Sequence, residues 1–135
     1  METVAKYMGY CKFQVISGQH SIICDQPREN GGSDEGMSPP EFLLASLATC
    51  AGYYASQYLK ARGLGSEGLE VRVEAEKVKN PSRLGSFRIL VSVPGLDERH
   101  QEGILRAVKS CLIHNTLLER PGIEVTIESP AVAAA

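Results

Sequence analysis

The spacing of apolar positions changes along the chain, and each change marks an element. From Tyr7 to Gln26 short apolar runs, Phe13-Gln14-Val15-Ile16 and Ser21-Ile22-Ile23-Cys24, flank Ser17-Gly18-Gln19-His20, which predicts strands joined by a tight hairpin connection. Pro27 to Met37, with Asn30-Gly31-Gly32-Ser33-Asp34-Glu35-Gly36 at its centre, reads as loop. Ser38-Pro39-Pro40-Glu41 then carries the signature of a helix start. A Ser-x-x-Glu capping box closes the first turn, and Pro39 falls where its missing N–H costs nothing. The segment from Phe42 to about Arg62 is apolar around most of its circumference and holds almost no charge before Lys60, the pattern of a core helix packed on more than one side. Gly63 is its stop signal.

Period two follows. Leu69, Val71, Val73 and Ala75 alternate with Glu70, Arg72, Glu74 and Glu76, and beyond the turn Asn80-Pro81-Ser82-Arg83 the row Phe87, Ile89, Val91, Val93 answers them. This predicts an antiparallel hairpin with one wet face. Pro94-Gly95-Leu96-Asp97 ends it, and Asp97 is placed to cap a second helix whose apolar positions Ile104, Leu105, Val108, Cys111 and Leu112 share one face. Glu119-Arg120-Pro121-Gly122 ends that helix, Ile123 to Glu128 alternates as a last strand, and Ser129 to Ala135 reads as a loose tail. Strands that pair with their sequence neighbours predict an α+β fold, with antiparallel sheets and two central helices, in a single domain spanning 1–135. The first helix has more apolar surface than one such sheet covers, so a second subunit is expected on its other side.

Composition narrows the partners. The formal net charge is −2 with no Lys/Arg run, tryptophan is absent and aromatics are 6%, which argues against nucleic acid as partner. No run of about 18 apolar residues is present to span a membrane, and Met1-Glu2-Thr3-Val4-Ala5-Lys6 lacks the apolar core of a signal peptide. A cytoplasmic protein is the expectation. Four cysteines at wide spacing, Cys11, Cys24, Cys50 and Cys111, do not form the framework of a disulfide-stapled fold.

Two of these thiols, Cys50 and Cys111, face the expected core from separate helices. Free cysteine in a core is often inert filling, because apolar burial raises its pKa. Reactivity needs a positive or hydrogen-bonding neighbour, and Cys50 is about three turns into its helix, too far for the N-terminal dipole of that helix to help. Glu41 is nine residues from Cys50, which puts it about 180° around an ideal helix and more than ~13 Å along it, so within that helix its job is the cap. Cys111-Leu112-Ile113-His114 and His20-x-x-x-Cys24 are the only ligand-like pairs, too sparse for a metal site, so no metal and no cofactor are expected. Gly31-Gly32 lacks the rest of a phosphate-binding motif. Tyr53, Tyr54 and His114 would line a pocket beside Cys50 if one exists.

The run Asp25-Gln26-Pro27, Gly31-Gly32 and Ser38-Pro39-Pro40-Glu41-Phe42-Leu43-Leu44-Ala45-Ser46-Leu47-Ala48-Thr49-Cys50, with Cys111-Leu112-Ile113-His114-Asn115-Thr116-Leu117, resembles the OsmC/Ohr family of osmotically induced and organic hydroperoxide resistance proteins. The resemblance covers nearly the whole chain. It implies an intertwined homodimer with sheets wrapped around two central helices, and a thiol peroxidase in which the residue at Cys50 attacks an organic hydroperoxide. The residue at Cys111 then resolves the sulfenic acid to a disulfide, and a dithiol reductant restores the pair. In peroxidase members an arginine from the N-terminal strands, held by a glutamate near the helix start, activates the first cysteine. Here Glu41 takes the glutamate place, no arginine occurs between Tyr7 and Cys24, and Arg28 is the nearest replacement. The proline that often follows the second cysteine is Leu112. A branch outside those peroxidases is implied, and with it an alternative, a dimeric binding protein for a small hydrophobic ligand.

Overall fold

The computed structural model describes residues 1–133. Three strands, β1 (Val4–Gly9), β2 (Lys12–Ser17) and β3 (His20–Cys24), form an antiparallel sheet in the order β1-β2-β3. The Gly18-Gln19 turn joins β2 to β3 with Gly18 at φ 58°, a conformation glycine adopts without a steric penalty. The sequence pattern placed the first strand run from Tyr7, whereas β1 begins at Val4 and pairs Val4 with Ile16. The long helix α1 (Pro39–Ala61) opens on the expected capping box, with the Ser38 N–H donating to Glu41 Oε2 at 2.7 Å and the Ser38 hydroxyl to the same oxygen at 2.8 Å. It ends in a Schellman motif: Leu64 N–H donates to Leu59 O at 3.0 Å, Gly63 N–H donates to Lys60 O at 3.1 Å, and Gly63 sits at φ 65°.

The second hairpin, β4 (Glu70–Val78) and β5 (Arg83–Ser92), has the register the alternation predicted, Val71 opposite Val91, Val73 opposite Ile89 and Ala75 opposite Phe87. Its inner row packs on α1, whose fully buried stripe is Leu47, Ala51, Ala55 and Leu59, spaced four apart along one face. The helix α2 (Gln101–Lys109) crosses the same stripe through Ile104 and Val108. Contact is close at Gly103, where any Cβ would overlap the Tyr58 ring, and Tyr58 Oη and His100 Nδ1 lie 3.2 Å apart beside it. Asp97 caps a 3-10 turn, Glu98–His100, that leads into α2, its Oδ1 accepting from Arg99 N–H at 3.0 Å.

Two expectations are corrected. The second helix is not continuous: α2 stops at Lys109 and a separate helix α3 (Leu112–Leu118) begins after Cys111. The apolar spacing runs unbroken through Ser110-Cys111, but the new start at Cys111 gives its sulfur a capping place, and Leu105 and Leu112, expected in the core, are 53% and 61% exposed. Second, residues 119–133 carry no regular secondary structure, and Ile123, Val125 and Ile127 are 80%, 82% and 90% exposed. Alternation there favours extended backbone, but the segment finds no ladder neighbour among the described residues. Among the described residues the N-terminal sheet packs little against the helices of its own chain, and β1 is exposed along nearly its whole length. The part of the loose tail at 134–135 lies outside the described residues. Among the described residues no helix is long and apolar enough to cross a membrane.

Candidate active site

The loop between β3 and α1 is organised by one buried carboxylate. Asp25 is 1% exposed, and its two oxygens accept from Gln26 N–H at 2.8 Å, Ser33 N–H at 3.2 Å and Glu35 N–H at 3.1 Å. Its own N–H donates to Met37 O at 3.3 Å, so the chain returns beside β3 just before the Ser38 cap. Gly32 has no room for a side chain against the Gln26 backbone, and Lys12 of β2 pairs with Glu35. Asp25 therefore fixes where α1 starts. Sequence reasoning passed over it, because its role depends on loop N–H groups that only the fold gathers.

The break between α2 and α3 brings the two core thiols together. Cys111 is fully buried at the N-cap of α3, and its Sγ accepts from His114 N–H at 3.4 Å. Cys50 is half-buried on α1, near enough to Cys111 and to the Ile113 and Leu112 backbone for these groups to act on its ionisation. Burial alone would raise the Cys50 pKa. The Cys111 thiol and those two amides outweigh it, and the net displacement is downward. Cys111 moves upward, through burial first and then through donating its proton toward Cys50. The pair thus divides into an ionisable thiol and a protonated one. What acts on Cys50 is the open start of a helix, whose first N–H groups have no partner inside it. A proline at position 112 has no N–H to give, so Leu112 adds a donor there.

The remaining expected site residues fall elsewhere. Glu41 is exposed, its carboxyl held below the usual range by the Ser38 N–H and hydroxyl, and it serves the cap. Arg28 is exposed in a 3-10 turn, Arg28–Asn30, and is not among the groups acting on Cys50. His114 lines an apolar groove of about 900 Å³ between the inner face of β5 and the helices α2 and α3, together with Leu47, Phe87, Val108 and Leu117. Tyr53 and Tyr54 do not line it. Tyr53 lies two residues beyond Ala51, on the side of α1 turned away from the buried stripe, and is 59% exposed with its ring 5.4 Å from that of Tyr54. Among the described residues no group of three or more His, Cys, Asp or Glu side chains is placed to hold a metal ion.

A family model described as OsmC-like protein matches residues 32–128. Among solved structures, a Psychrobacter arcticus protein named for osmotic stress induction and detoxification superposes with a TM-score of 0.77 at 23% identity, over 84% of this chain and 85% of that one. An OsmC-like protein from Mycoplasma pneumoniae gives 0.75 at 24% identity, over 88% and 87%. An organic hydroperoxide resistance protein from Legionella pneumophila gives 0.60 at 20% identity, over 87% and 89%. No curated protein matches the chain. At these identities the structures establish a shared α+β fold of antiparallel sheets and helices, and the family model, which takes in both Cys50 and Cys111, establishes that the chain belongs to the OsmC-like protein family.

Proposed function

We propose that the protein is a thiol-dependent peroxidase that reduces organic hydroperoxides. The observation that carries this reading is the opposite displacement of two adjacent thiols, Cys50 toward thiolate and Cys111 toward thiol. The Cys50 thiolate attacks the terminal oxygen of ROOH, the O–O bond breaks, and the alkoxide leaves as ROH after taking one proton. Cys50 becomes a sulfenic acid. Cys111 attacks that sulfur, a disulfide forms and water departs, and a dithiol reductant returns both cysteines to thiols while becoming a disulfide itself. Name-level kinship supports the reading, since the Legionella pneumophila and Elizabethkingia anophelis structures are called organic hydroperoxide resistance proteins.

The working form in this reading is a homodimer in which sheets wrap the paired α1 helices. Supporting it are the N-terminal sheet without a helix from its own chain, the open apolar groove, and the unpaired alternating segment from Ile123 to Glu128. Four free cysteines suit the reducing cytoplasm. A second reading, a non-catalytic binding protein for a small hydrophobic ligand, is favoured by one observation: the groove is lined by neither cysteine. Peroxide consumption coupled to dithiol oxidation decides between them. Turnover in the wild type and none in Cys50→Ser is the expected result, and background rates in both favour the binding protein.

A further inference from the structure

Glycine is a poor helix residue, because its backbone has more freedom to lose and it brings no side chain to pack. Gly103 nevertheless lies inside α2, buried. Its place is explained by what stands across from it: a Cβ here would overlap the Oη, Cε2 and Cζ atoms of Tyr58 on α1. The Tyr58 ring is held by two neighbours. Its Oη lies 3.2 Å from His100 Nδ1, and the Arg62 guanidinium sits over the ring, 3.7 Å from its centroid. Swinging the ring aside gives up both.

The same two helices carry the thiols. α1 is continuous from Pro39 to Ala61, so Tyr58 and Cys50, eight residues apart, move as one body. α2 ends at Lys109, and the chain beyond is tied to it: Ser110 N–H donates to Ala107 O at 3.0 Å, and Cys111 N–H to Val108 O at 3.1 Å. Cys111 thus rides on the end of α2, eight residues beyond Gly103. Equal offsets in opposite chain directions make the two helices antiparallel partners. Tyr58 and Gly103 meet at one end of their interface and Cys50 and Cys111 at the other, with Ala51, Ala55, Leu59, Ile104 and Val108 packed between. The helical rise puts about 12 Å between the two ends.

We propose that Gly103 and Tyr58 are positioning residues of the thiol pair: their contact sets how closely α2 lies on α1, and so how closely Cys111 approaches Cys50. Both act at a distance, through the helices that carry the sulfurs. A close-packed interior transmits a small displacement rather than absorbing it. Disulfide formation is sensitive to such a displacement, because the two Cβ atoms must come within about 3.5–4.5 Å. The role in catalysis rests on the peroxidase reading, in which Cys111 attacks the Cys50 sulfenic acid. There the S–S bond forms, the S–O bond breaks, and the hydroxyl leaves as water with the Cys111 proton. The positioning itself bears on any two-electron oxidation of the pair.

The test drives the disulfide without a peroxide. Diamide takes two electrons and two protons from a thiol pair, and the Cys50–Cys111 link is followed by peptide mass spectrometry. The wild type is compared with Gly103→Ala, Tyr58→Leu and the double variant, each checked for fold by circular dichroism. Alanine is the better helix former, so a loss in Gly103→Ala reports the contact and not the helix. The expected result is a fall of about 10- to 100-fold in the linking rate of Gly103→Ala, since an ångström of misplacement costs on the order of 100-fold. The Cys50 alkylation midpoint should move up in the same variant. Tyr58→Leu removes the ring that the new Cβ meets, so the double variant should return to within about 3-fold of the wild type, a coupling expected of residues in contact. Gly103→Ala with Tyr58→Phe, which keeps Cε2 and Cζ, should not recover. If Gly103→Ala fails to fold, Tyr58→Trp, which enlarges the ring against an unchanged Gly103, takes its place with the same expected losses. An unchanged linking rate and Cys50 midpoint, or a loss that Tyr58→Leu does not relieve, overturns the assignment. So does a wild type in which Cys50 and Cys111 do not link. Hydroperoxide turnover is measured in parallel, and a wild type without it overturns the peroxidase reading while the diamide rates still decide the positioning.

Discussion

Cys24 and Cys50 carry the same side chain in two environments that move it in opposite directions. Cys24 ends β3 with 8% exposure, and burial first, then the charge of neighbouring Asp25, pushes its pKa up. Cys50 also loses water, yet the Cys111 thiol and the Leu112 and Ile113 N–H groups bring its pKa down. Desolvation acts on both. What differs is the sign of the nearest partial charge, negative from a carboxylate beside Cys24 and positive from unpaired amides beside Cys50. A buried thiol is inert by default, and this fold changes the outcome by interrupting a helix at one residue.

The comparison breaks most visibly in activity. Replacing Cys50 by Ser should abolish dithiol-dependent peroxide reduction, a fall of at least ~1000-fold because the nucleophile is gone, while Cys24→Ala should leave the rate within about 2-fold. Next in size is Asp25→Ala, which strands loop N–H groups and removes the charge beside Cys24. A loss of about 2–4 kcal/mol is expected in urea unfolding, with a fall in the Cys24 pKa read by alkylation. Stability against pH separates the thiols further. Cys24, raised in the fold, favours folding fully below the unfolded thiol value of about 8.5 and loses that contribution as pH climbs through its folded value. Cys50, lowered in the fold, contributes in full only above about 8.5 and loses it as pH drops through its folded value. Removing the cap hydroxyl with Ser38→Ala should cost about 1 kcal/mol and leave both thiol titrations unchanged, which separates the start of α1 from the site. The smallest effect is the most specific. Leu112→Pro keeps a residue suited to the first turn of α3 and removes one donor, so the Cys50 pKa should rise by less than it does in Cys111→Ser.

Much of this was legible in the sequence. Ser38-Pro39-Pro40-Glu41 and Gly63 bounded α1, and the alternation from Leu69 to Val93 fixed which residues of β4 and β5 face α1. Such patterns are local and carry their own cause. The break at Cys111 was hidden because the apolar spacing of Ile104, Leu105, Val108, Cys111 and Leu112 continues through it, and an interruption made by backbone geometry leaves that spacing untouched. Asp25 was hidden for a related reason, since a carboxylate before a loop says nothing about which amides will turn to it. The segment from Ile123 to Glu128 shows the converse: its strand pattern is plain, but pairing needs a neighbour, and the described residues provide none. Arginine was sought beside Cys50 because a side chain can be seen in a sequence, while the N–H groups of Leu112 and Ile113 have no letter of their own.

The central claim, that the start of α3 ionises Cys50, is tested most directly by the rate of Cys50 alkylation against pH in the wild type and in Cys111→Ser, with Cys24 followed in the same samples by peptide mass spectrometry. The account predicts a Cys50 midpoint below the ordinary thiol value of about 8.5, a Cys24 midpoint above it, and an upward move of the Cys50 midpoint when Cys111 is replaced. A Cys50 midpoint at or above about 8.5, or one indifferent to Cys111, would contradict it.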